Sequence, residues 1–146
     1  MRLDARTGEQ LTIDPAPNKT QLGPAFTSGS TFAVYALADP TFTTFVGPMF
    51  AAGCDGTRQF SDDLGWAYLA GRGDTIIYND HAISNPANAL LTTGDLKTVD
   101  LDRATLAPRL IAAQANATFF VTGDQRTVLY ASDHDARPGL YAARTP

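Results

Sequence analysis

Phe120-Val121-Thr122-Gly123-Asp124-Gln125-Arg126-Thr127-Val128-Leu129-Tyr130 is the stretch whose reading decides the fold. An apolar run, a Gly-Asp turn and a second β-branched and apolar run ending in tyrosine make an antiparallel hairpin. Val128-Leu129 is continuous rather than alternating, which suits a strand packed on both faces. Downstream, Ser132-Asp133-His134-Asp135 makes a second turn, and Gly139-Leu140-Tyr141 opens a third strand that runs to Ala143.

The same pattern stands twice upstream, in Phe26-Thr27-Ser28-Gly29-Ser30-Thr31-Phe32-Ala33-Val34-Tyr35 and in Tyr68-Leu69-Ala70-Gly71-Arg72-Gly73-Asp74-Thr75-Ile76-Ile77-Tyr78. The closing tyrosines are 43 and 52 residues apart, within reach of the roughly 40-to-50-residue period of a sheet repeat. More strand material follows each hairpin, at 42–50, 96–101 and 139–143. Helix signals are poor, because the best window, 102–115, carries Pro108 in its middle. Thr98-Val99-Asp100-Leu101 and Pro108-Arg109-Leu110-Ile111 are expected to pair as the outer two strands of a unit, joined by a turn at 102–105.

Residues 120–143, with Gly123-Asp124 in the first turn, Ser132-Asp133-His134-Asp135 in the second and Gly139-Leu140-Tyr141 after it, resemble the TolB-type (WD-like) β-propeller repeat. The first two units resemble it more loosely and lack a literal Ser-Pro-Asp-Gly turn. The resemblance implies an all-β chain of propeller blades: three four-stranded antiparallel sheets in one domain, at about 15–60, 61–112 and 113–146. Three blades do not close a ring and would leave two apolar sheet faces in water. Residues 1–14 parallel 99–112, with Leu3-Asp4-Ala5-Arg6-Thr7 set against Leu101-Asp102-Arg103-Ala104-Thr105, so the N-terminus is expected to supply the outer strand missing after Ala143. A homodimer joined in this way would be a six-bladed ring; the alternative is a piece of a longer propeller.

The 146 residues carry 11 Lys and Arg against 15 Asp and Glu, a net charge of −4. Nucleic acid is therefore not expected as a partner, since phosphate binding needs a concentrated basic surface. No apolar run approaches the roughly 20 residues of a membrane-spanning helix, and the start Met1-Arg2-Leu3-Asp4-Ala5-Arg6 lacks the apolar stretch of a signal peptide. The single cysteine, Cys54, leaves no internal disulfide framework.

The only two histidines occupy matching places. His81 follows Asp80 and His134 follows Asp133, each soon after a closing tyrosine, and Asp39 stands at the corresponding place in the first unit. In propellers such loops lie near the mouth of the central channel, so Asp80, His81, Asp133 and His134 are the candidate binding residues. His81 and His134 are the candidate ligands for a divalent metal ion, where imidazole and carboxylate could also serve as base and acid. The plainer reading is that each Asp caps its own turn by bonding backbone N–H groups. The 16-residue connection 79–94 is the longest and is read either as a lid or as a mobile loop.

Other residues carry weaker signals. Cys54-Asp55-Gly56 and Gly71-Arg72-Gly73 read as hairpin turns, Trp66 as a core residue, and Ser28 lacks the Gly-x-Ser-x-Gly setting of a hydrolase serine. Two functions remain open at this point. One is a binding module that takes a small molecule or protein at the channel mouth. The other, implied by the resemblance, is a metal-dependent hydrolase of ester-like substrates such as lactones or phosphotriesters.

Overall fold

In a computed structural model of the chain, the described residues are 2–3, 10–11, 20–25, 32–38, 46–53, 56–65, 70–83, 93–124, 126–132 and 138–145. All regular structure among them is β-strand, and every strand pair is antiparallel. No helix among the described residues is long and apolar enough to cross a membrane.

The strands are β1 (Arg2–Leu3), β2 (Gln10–Leu11), β3 (Thr20–Ala25), β4 (Ala33–Ala38), β5 (Val46–Gly53), β6 (Gly56–Gly65), β7 (Ala70–Arg72), β8 (Thr75–Ile83), β9 (Thr93–Asp100), β10 (Arg109–Val121), β11 (Thr127–Ser132) and β12 (Gly139–Arg144). They form a two-stranded ladder β1-β2, a four-stranded meander β3-β4-β5-β6 and a six-stranded meander β7-β8-β9-β10-β11-β12. The expected three four-stranded sheets are therefore regrouped. β10 is one unbroken strand of 13 residues; its first part pairs with β9, where Arg109 faces Thr98, and its second part pairs with β11, where Phe119 faces Tyr130. The β9–β10 pairing across the turn at 102–105 is as expected from the sequence.

The hairpins follow local chemistry. Gly53 pairs with Gly56 across residues 54–55, and Gly56 has a φ of 114°, which a residue without Cβ adopts at little cost. Gly73 turns β7 into β8 with a φ of 57°. In the turn at 122–127 the Asp124 carboxylate accepts from Thr122 Oγ1 at 2.6 Å and from the Arg126 N–H at 3.1 Å. These two donors hold the Asp124 carboxyl below its ordinary value.

Two apolar cores lie on opposite faces of β8 and β9. On one face Ile76, Tyr78, Val99 and Leu101 pack against Val34, Met49, Ala51 and Phe60 of the four-stranded sheet. On the other, Ile77 and Leu96 pack against Ala115, Phe119 and Val128 of β10 and β11. For its second half to cover its own sheet, β10 must turn a corner. Register shifts between Leu110 and Phe119 provide the corner, with Gln114 at a φ of 49°. Asn79 Nδ2 ties the layers together by donating to the Ala115 carbonyl at 3.2 Å. The order in space is thus β3–β6, then β7–β9, then the β10–β12 half.

Within the chain Arg2 and Leu3 pair with Leu11 and Gln10, and among the described residues β12 has β11 as its only strand partner. The ladder is local, closing over a short separation in sequence, and such pairing is the least costly in chain entropy.

Candidate functional site

β6 and β8 meet face to face where the four-stranded sheet lies on the six-stranded one. Ser61 from β6, Asp80 from β8 and Lys97 from β9 converge there. Asp80 is only 4% exposed. Its Oδ1 accepts the Ser61 hydroxyl, and its Oδ2 accepts Lys97 Nζ at 2.6 Å and lies 3.1 Å from His81 Nδ1. Burial on its own would push the Asp80 carboxyl up. The Lys97 ammonium, the Ser61 hydroxyl and the His81 imidazole outweigh it and hold the group below its ordinary value. Beneath it the buried Tyr78 phenol is pushed up, first by burial and then by the negative charge of Asp80. Neutral, it donates to the Phe60 carbonyl at 3.3 Å.

His81 is placed by backbone distortion. Between Asp80, opposite Asp95, and Ile83, opposite Thr93, β8 carries a bulge, and His81 takes a φ of 52° within it. The strand therefore continues through the residues read from sequence as the start of a loop. β8 runs to Ile83 and β9 starts at Thr93, so the 16-residue connection from 79 to 94 is shorter than expected. Asp80 is consequently a buried strand residue and not a turn cap. Gln114, on the far side of β9, also has positive φ, and its N–H reaches Asp95 Oδ1 at 3.4 Å. Two non-glycine residues in this backbone region flank one point of β9, and such concentrations of strain mark functional positions more often than chance.

Because a carboxylate only accepts, Nδ1 of His81, 3.1 Å from Asp80 Oδ2, faces it as a donor. The His81 side chain is 60% exposed. Next to the cluster lies an open cleft of about 300 Å³ lined by Gln59, Phe60, Ser61, Asp62, Leu106 and Pro108. Ser61 belongs to both cleft and cluster. Gln59 Nε2 fixes the rim by donating to Asp62 Oδ1 at 2.6 Å.

Of the residues proposed from sequence, Asp80 and His81 are thus together and in contact. Asp133 and His134 lie outside the described residues, as do Asp39, Cys54, Trp66 and 84–92. Among the described residues no three His, Cys, Asp or Glu side chains gather in a way that could hold a metal ion. Ser61 and Lys97 escaped the sequence reading. The available signal was a lysine inside the apolar run Leu96-Lys97-Thr98-Val99, since a lysine on a buried strand needs a carboxylate partner. No protein-family model, curated protein or solved structure matches this chain.

Proposed function

We propose that this chain is a non-catalytic, propeller-type binding module that takes a small molecule or protein segment at the cleft beside Ser61, Asp80 and His81. The observation that carries the binding reading is how fully the Asp80 carboxylate is engaged, with Oδ1 on Ser61 and Oδ2 on Lys97 and His81. A carboxylate held ionised by three partners is a poor base. Ser61 gives its proton to Asp80 rather than to an imidazole, which is not the order of a nucleophile–base pair. Side chains engaged with one another in this way make a preformed wall at Ser61 beside the cleft, which suits recognition.

Support for the propeller reading comes from repeated geometry. Tyr35, Tyr78 and Tyr130 lie on β4, β8 and β11, and Tyr78 and Tyr130 each turn toward the preceding layer. The residues just before Tyr35 and Tyr78, Val34 and Ile77, are buried against the following layer. To test the function, the chain is incubated with a nitrophenyl ester, a lactone and a phosphotriester, with and without zinc, manganese or calcium. No turnover above buffer is expected. Turnover that disappears in His81→Ala would favour the metal-dependent hydrolase and overturn the reading.

A further inference from the structure

The middle layer packs on the first by one face and on the last by the other, and among the described residues the face of the last layer turned away from the middle one is open. Phe120 on β10 is 67% exposed and Leu140 on β12 is 75% exposed. Between them on the same face lie half-buried Leu129, which pairs with Phe120 and Ala142, and exposed Ala131, which pairs with Leu140. Leu129 immediately precedes Tyr130, so it is the counterpart of Val34 and Ile77, whose faces the chain itself covers.

We propose that this face is where two copies of the chain associate, each presenting the same face across a two-fold axis. Three observations select a second copy in that orientation. At the opposite end of the stack the described outward ring is covered: Tyr35, which points away from the six-stranded sheet and stacks on Phe50 at 5.5 Å, is only 5% exposed. Among the described residues the open face carries a single charge, Arg144, at its margin beside Thr127, so its described part is apolar and suits contact with a like surface. Its described apolar residues, Phe120, Leu129, Ala131, Leu140 and Ala142, are few against the roughly 20 to 30 residues a side of a standard interface, which fits a dimer that exchanges with monomer. This pairing closes at two copies. It differs from the head-to-tail ring expected from the sequence, and it does not depend on the binding reading.

Light scattering from about 1 to 200 µM tests it. The mass is expected to climb from 15.5 kDa toward twice that value and to stay at the monomer in both Phe120→Asp and Leu140→Asp. Leu110→Asp, at an exposed apolar position on β10 that pairs with Lys97 on the other face, is expected to leave the dimer intact. In Phe120→Trp the added indole emission is expected to shift to shorter wavelength over the range in which the mass doubles. A wild-type chain that remains at 15.5 kDa throughout, growth beyond two copies, or a dimer indifferent to both aspartates overturns the proposal.

Discussion

The outer layers and the middle layer solve the same position in different ways. In the first layer Tyr35 pairs in register with Phe50, and in the last Tyr130 pairs with Tyr141, the rings stacking at 5.5 and 5.8 Å. In the middle layer the residue opposite Tyr78 is Lys97, and Tyr78 meets Phe60 edge-on at 5.1 Å instead. Lysine in place of an aromatic ring on a face covered by another sheet brings in a buried carboxylate, which in turn engages Ser61. The middle layer, covered on both sides, thus carries a polar centre, whereas the two outer layers carry stacked rings. A single cross-strand position thus changes the chemistry of one layer.

The largest expected effect in this comparison is at Tyr78, which is fully buried. Tyr78→Ala should cost about 4 kcal/mol of stability, read from the urea midpoint. Next is Lys97→Met, which leaves the Asp80 carboxylate without its cation. Since Lys97 is partly open to solvent, about 2 kcal/mol is expected. Combining it with Asp80→Leu and Ser61→Ala should bring stability back to within about 1 kcal/mol of the parent, because an apolar replacement of the whole cluster has no charge left to satisfy. A combined variant less stable than Lys97→Met alone would mean the polar centre is a net stabiliser of the fold.

The pH response separates the same pair. Asp80 has a carboxyl held below its unfolded value of about 3.9, so its contribution is fully present above that pH and is lost as pH falls through the lower folded value. Denaturation midpoints measured from pH 6 down to pH 2 should therefore drop more steeply for the parent than for the combined variant. The smallest effect belongs to the exposed aromatic pair: Tyr141→Ala should cost about 1 kcal/mol, since one ring of that stack faces water. A loss as large as that for Tyr78→Ala would show that the last layer's stack is buried in solution.

The strands legible in the sequence were those with apolar or β-branched runs next to turns: β4, β5, β8, β9, β11 and β12, with the β9–β10 pair. β6 was not, because Gly56-Thr57-Arg58-Gln59-Phe60-Ser61-Asp62-Asp63-Leu64-Gly65 is polar and owes its strand state to pairing with β5 and to burial of Phe60. Ser61 was hidden with it. Asp80 and His81 could be found because they lie next to each other, but their setting could not. The bulge that keeps them in a strand is a choice of backbone register rather than of residue type, since neither is a glycine. Lys97 lies 17 residues from Asp80, a separation that only the β8–β9 pairing closes.

The unbroken β10 strand also bears on how the molecule comes apart. Stacked layers joined by loops can unfold piece by piece, because each touches only its neighbours. Here the link between the last two layers is a strand hydrogen-bonded along both halves, with Ala115 paired to Gly94 on one side and to Ser132 on the other. Separating the layers exposes the middle of this strand on one side or the other, so the amides of β8 through β12 are expected to exchange more nearly together than those of sheets joined by loops, as hydrogen exchange would read.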